Sequence, residues 1–213
     1  MSGKKILLGI IGVPVGLFIL LIVITLIFGE RQFVSEENVL HDSSSGEVPV
    51  SIIYYDVEGN TVQQLQNSIA GHDWGVVPAH GTGTARVVWD YDVSHRLREE
   101  AGSCRYVEVK LNGSIVEELP RWQAPAGADS ALVARWNTFI TNLETHEQEH
   151  VDLGLQAAKE IHDTLINFPP QPTCDELTAK GDARTDEIYD KYEQRNIEYD
   201  KRTNHGVTQG AAL

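Results

Sequence analysis

From Leu132 to Leu165 the sequence carries an apolar stripe at helical spacing: Leu132, Trp136, Phe139, Ile140, Leu143, Ala157, Ala158, Ile161 and Leu165. A period near 3.6 sustained this far commits the segment to one long helix with a buried face. Asp129 or Ser130 supplies its N-cap, and Phe168-Pro169-Pro170 ends it, since proline cannot continue a helix. A second, more polar helical stretch runs from about Asp175 to Arg202, with Ile188, Tyr192, Arg195 and Tyr199 assigned to one face.

The first half has a different period. Val48 to Val57, Thr84 to Val93 and Arg105 to Leu111 are rich in β-branched and aromatic residues and read as strands. Asn112-Gly113 predicts a tight hairpin turn into a further strand, Ser114 to Leu119. Thr61 and Gln64 have capping-box spacing ahead of Val62, Leu65 and Ile69, which predicts a short helix to about Ala70. Strands first and helices later give an α+β fold: a small antiparallel sheet followed by two long helices.

The extreme N-terminus obeys other rules. Ile6 to Phe28 contains no charged residue, and at about 1.5 Å per residue it spans roughly 34 Å, enough to cross a bilayer core. Lys4 and Lys5 precede it and favour a cytoplasmic N-terminus. A cleaved signal peptide is the competing reading, but the run is longer than such peptides use and ends in Leu26-Ile27-Phe28-Gly29-Glu30 without an A-x-A-like site. The expected organisation is a single transmembrane anchor over residues 1–29, a polar tether over 30–47 and an extracytoplasmic domain over 48–213.

Net charge is −14 with no basic stripe, which argues against a nucleic-acid partner, because phosphate binding needs clustered Lys and Arg. The two cysteines, Cys104 and Cys174, suit one disulfide in an oxidising compartment, against the alternative of two buried thiols.

Within the long helix stands His146-Glu147-Gln148-Glu149-His150. Histidines four apart project from one helix face, close enough for both imidazoles to meet one ion, and these two continue the buried stripe between Leu143 and Leu153. Buried imidazoles need partners for their ring nitrogens, and zinc supplies one for each. Glu147 falls beside such an ion, where it could exchange a proton with a metal-activated water, whereas Glu149 reads as solvated surface.

A zinc hydrolase needs a third protein ligand and an open position. The extended H-E-x-x-H-x-x-G-x-x-H pattern is excluded by Leu153 and Gln156. Glu160 and His162 lie too far along an unbroken helix. His205, just past the second helix and before Gly206, is the candidate third ligand if that helix returns antiparallel to the first. His41, His72, His80 and His95 read as surface.

Further local patterns accompany the histidine motif: Tyr54-Tyr55-Asp56-Val57 with Gly59, Leu119-Pro120-Arg121-Trp122, Trp136, Cys174, and Tyr199-Asp200 leading to Thr203-Asn204-His205-Gly206 and Thr208-Gln209-Gly210. Together they resemble a bacterial family of otherwise unknown function described as predicted secreted zinc-dependent proteases, over roughly Val48 to the C-terminus. The resemblance implies His146 and His150 as zinc ligands, Glu147 as catalytic carboxylate and His205 as a functional position. The expected function is a membrane-anchored, extracytoplasmic zinc metallopeptidase acting on a peptide or protein of the cell envelope. The alternative is a non-catalytic cell-envelope binding module with a structural or vestigial metal site.

Overall fold

The computed structural model describes residues 47–75 and 83–213. The anchor expected over residues 1–29, and all of the tether except Glu47, lie outside the described residues. Among those described, no helix is long and apolar enough to cross a membrane.

The element order is β1 (Val50–Val57), α1 (Val62–Ala70), β2 (Arg86–Glu100), β3 (Ser103–Trp122), α2 (Ser130–Ile166), α3 (Cys174–Thr203) and a 3-10 turn (Val207–Gln209). The fold is α+β, with a three-stranded sheet ahead of two long helices. Each helix starts on a side-chain cap, expected from sequence for the first two. The side chains of Thr61, Asp129 and Thr173 accept hydrogen bonds from the amides of Gln64, Ala131 and Glu176. On α3, Asp175 and Glu176 in the first turn and Lys201 and Arg202 in the last turn complement the helix dipole.

Two expectations about the sheet are corrected. Its order is β1-β3-β2, with β2 antiparallel to β3 but β1 parallel to it, so the sheet is mixed. The chain leaves β1 through α1 and enters β2 on the far edge, so β3 returns between them in the direction of β1. Asn112-Gly113, in turn, is no hairpin turn; β3 runs straight through it. Gly113 pairs with Tyr91, and a Cβ there would come within 2.0 Å of the Asp90 carbonyl oxygen. The glycine serves a close approach of two strands. The reversal occurs at Ala101-Gly102, both at positive φ (51° and 75°), as a primed two-residue hairpin loop requires.

The sheet meets the helices through Val87, Trp89, Val109, Leu111 and Ile115, packed with Val151, Leu153, Ala157, Ala158 and Ile161 of α2 and Leu177, Ile188 and Tyr192 of α3. Two aromatic rings key the helices to the sheet. The Trp89 indole sits against Gly154 of α2, where a Cβ would come within 2.5 Å of Nε1, and the Tyr106 hydroxyl sits against Gly181 of α3, within 2.0 Å. A second cluster joins Tyr55 and Val57 of β1, Leu65 and Ile69 of α1, and Leu132, Trp136, Phe139 and Leu143 at the start of α2.

α2 and α3 run antiparallel: Glu160 accepts hydrogen bonds from Lys191 and Tyr192, while His150 meets Asn196 and His146 meets Asp200. Cys104 and Cys174 form a disulfide that ties the start of β3 to the start of α3. The connection between the helices is held there too, because Cys104 and Gln171 exchange backbone hydrogen bonds of 2.7 and 2.9 Å.

Candidate metal centre

His146, Glu147 and His150 lie on the buried face of α2, and none has any exposed surface. Their helix is continuous, so the one-turn spacing is realised: Nε2 of His146 lies 3.3 Å from Nε2 of His150. α3 closes the set. Asp200 Oδ1 stands 3.2 Å from Nε2 of both histidines, and the three donor atoms all lie within 4.8 Å of one another.

The outer nitrogens fix the orientation of both rings. His146 Nδ1 faces the Gln209 amide oxygen at 2.9 Å, and His150 Nδ1 faces that of Asn196. An amide oxygen can only accept, so each ring donates from Nδ1 and turns its Nε2 lone pair inward. Tyr199 stacks on His146 at an interplanar angle of 17°, and its hydroxyl shares the Gln209 amide. The Trp89 indole donates to the His150 carbonyl at 3.0 Å, which secures this turn of α2 against the sheet.

Two imidazole nitrogens and a carboxylate oxygen therefore point at one another, and among the described residues Asp200 Oδ1 accepts no well-formed hydrogen bond. The electrostatics favour positive charge at this point. Burial would raise the pKa of Asp200, but the close approach of the His146 and His150 rings to its carboxylate, with the charge of His150 and His205, pulls it well below the usual range. Burial would lower the pKa of His150, yet Asp200, Asn196 and Glu147 outweigh it and raise it. Beside the three, Glu147 has both carboxylate oxygens buried and, among the described residues, without a hydrogen-bond partner. Burial pushes its pKa up to about 7, opposed by His150 and His146 and reinforced by Asp200 and Glu117.

These residues fit a zinc ion. Nitrogen and carboxylate oxygen are its ordinary donors, three protein ligands leave a position open, and the second ring nitrogens are held as metal-bound histidines require.

The residues expected from sequence are only partly united here. His146, Glu147 and His150 come together. His205 stands at the edge with its side chain 58% exposed, its Nδ1 3.5 Å from the other carboxylate oxygen of Asp200. The reason is the chain path: Asn204, His205 and Gly206 all adopt positive φ (50°, 51°, 75°), so the chain folds back over α2 with the His205 side chain outward. Gly206 then lies against His146, where a Cβ would come within 3.0 Å of the ring.

Asp200 and Gln209 stand in the patterns that carry the resemblance but were given no role at the metal, and Asn196 was not singled out. Asn196 and Asp200 are four apart on α3, buried in line with Tyr192 and Tyr199, whereas Arg195, assigned to that face, is exposed. Two polar residues on the buried side of an otherwise polar helix were the available signal. His162 is buried but pairs with Asp163, away from the centre. His72, expected at the surface, is instead stacked on Tyr55 and bonded to Glu118 at 3.1 Å, while His95 lies exposed, edge-on to Tyr106. His41 and His80 lie outside the described residues.

Residues 52–206, which contain every member of the cluster, match the model of a family described as "Bacterial protein of unknown function (DUF922)". No curated protein and no solved structure matches the chain.

Proposed function

The chain belongs to that bacterial family, and from this premise we propose that it is a membrane-tethered, extracytoplasmic zinc-dependent hydrolase that cleaves peptide bonds. One observation carries the reading: three inward-facing ligand atoms from two helices converge next to a buried carboxylate that has no partner among the described residues.

His146, His150 and Asp200 would hold the ion. When bound, zinc supplies Lewis acidity and brings the pKa of a coordinated water toward 7. Glu147 would be placed to accept a proton from such a water and to return it to the departing amine. Its pKa near 7 suits both directions of transfer, and the absence of any competing hydrogen bond leaves its oxygens free for it. Asn196 and Gln209 keep the imidazoles turned inward, and Tyr199 covers one ring against water. The Cys104–Cys174 bond supports an oxidising compartment outside the cytoplasm.

Full burial of both imidazoles and of Glu147 favours a second reading, a non-catalytic envelope-binding module whose metal is structural. Metal content and peptide hydrolysis, measured on the purified full chain and on Glu147→Gln, separate the two. The hydrolase reading expects near-stoichiometric zinc in both proteins and a loss of turnover of about 10²–10⁴-fold in the variant. Zinc in both with no turnover in either leaves the binding module; a chain that takes up no zinc excludes the hydrolase.

A further inference from the structure

Glu117 and Glu118 are neighbours on β3 with opposite surroundings. Glu118 is fully compensated, accepting from Arg86 Nε at 2.7 Å and facing His72 Nε2 at 3.1 Å. Glu117 is 4% exposed and lies between Ile115 and Leu119 on the other face. Among the described residues no hydrogen bond or ion pair reaches its carboxylate; the neighbouring pairs with His72 and Arg86 belong to Glu118. A carboxylate this nearly buried without a partner is unfavourable in a fold, and the narrow access its oxygens keep, unlike those of Glu147, leaves room for a ligand.

The register places it beside the catalytic turn. Trp89 of β2 donates to the carbonyl of His150, and Tyr91 donates to that of Gly154. Two residues of strand therefore advance with one turn of α2, and the same step taken back from Trp89 brings Val87 level with the turn that carries His146 and Glu147. Val87 pairs with Glu117. The charges felt at the two carboxylates agree with this placement: Glu144 acts on Glu117, and Glu117, after His150, His146 and Asp200, acts on Glu147. Glu144 is exposed, one turn before Glu147 on α2, and marks the approach from solvent. None of this acidity belongs to the metal cluster, which consists of His146, His150 and Asp200.

We propose that Glu117, with Glu144 at its rim, forms an ammonium-binding subsite next to Glu147, which takes a primary amine of the peptide substrate. The amine is either the free N-terminus or a lysine side chain, and as an assignment of substrate class this rests on the hydrolase reading. The missing counter-charge of Glu117 then arrives with the substrate, in a charge-assisted hydrogen bond made where water is scarce.

The test uses the full, zinc-loaded chain carrying Glu147→Gln, so that bound peptide persists, and reads affinity by fluorescence anisotropy. Three labelled hexapeptides of otherwise identical sequence are compared: one with a free N-terminus, one N-acetylated, and one N-acetylated with a single lysine. At least one amine-bearing peptide is expected to bind about tenfold tighter than the neutral one, and that margin to fall below about twofold when Glu117→Gln is added. The free-terminus and lysine arms identify the source of the amine. Glu117→Asp, which keeps the charge, is expected to retain part of the margin, and it stands in if the glutamine variant fails to fold, with a margin undiminished in it counting against the subsite. Equal binding of all three peptides, no measurable binding of either amine-bearing one, or a margin that survives Glu117→Gln overturns the proposal. Hydrolysis by the wild-type chain is followed in parallel. An amine preference without hydrolysis sinks only the hydrolase reading, and hydrolysis without the preference sinks only the subsite.

Discussion

Gln209 holds the imidazole of His146 in place, its amide oxygen 2.9 Å from Nδ1 and its amide nitrogen 3.0 Å from the Tyr199 hydroxyl. The residue touches no donor atom of the cluster, yet it sets which nitrogen of His146 faces inward. Gln209→Ala is therefore expected to weaken zinc binding about 10–100-fold while leaving the thermal melt of the metal-free protein nearly unchanged. Competition with a chelator of known affinity measures the first and calorimetry the second. An unaltered zinc affinity would mean that Tyr199 and Gly206 suffice to hold the ring.

Asp200 and His205 should differ sharply as substitution sites. Asp200 supplies the third converging atom, and His205 points to solvent, so Asp200→Ala is expected to cost at least about 100-fold in zinc affinity and His205→Ala no more than a few-fold. Equilibrium dialysis of both variants decides it; the reverse order would restore the histidine as the ligand.

Glu117 should imprint itself on the pH dependence of stability. Burial first, and then the Glu144 charge, raise its pKa from 4.5 to about 7 in the folded chain. Between those values the folded state binds more protons than the unfolded one, so this group's contribution is fully present below about pH 4.5 and is lost as pH rises through 7. Glu117→Gln removes the titration. Its melting temperature is expected to fall less than that of the wild type between about pH 5 and pH 7.5, and to equal or exceed it at the upper end. Parallel slopes for the two proteins would show that Glu117 is solvated.

Reduction of the disulfide should be felt as lost stability rather than as lost metal. Cys104 and Cys174 are 70 residues apart in sequence, and closing a loop of that length is worth about 4 kcal/mol by the chain-entropy model. The double variant Cys104→Ala/Cys174→Ala is expected to shift the urea midpoint accordingly. Its zinc affinity in native buffer should stay within a few-fold, because the bond joins the opposite end of α3 from Asp200.

What could be read from sequence divides along physical lines. α2 and its histidine pair were legible because periodicity, an N-cap and a proline stop all act within the segment they describe. Strand order was not: the parallel pairing of β1 with β3 is set by where α1 carries the chain, which no local pattern records. Asn112-Gly113 carried a strong turn signal, but there the glycine answers the Asp90 backbone on the neighbouring strand. Asp200 was missed because α3 has few apolar residues to fix its phase. Choosing Arg195 in place of Asn196 rotates the helix by one residue, about 100°, enough to turn a ligand into surface.

That sensitivity to rotation gives the two ring-on-glycine contacts a meaning beyond packing. A side chain added at Gly181 would displace Tyr106 from its seat and make α3 slide or turn, moving Asp200 away from imidazoles some 28 Å along the helix from the lesion, at about 1.5 Å per residue. The two glycines act like the detents of a vernier, holding two independent rods at the one mutual setting where their marks coincide. Inheritable damage to such a centre can therefore arise from residues that no inspection of its immediate neighbourhood would implicate.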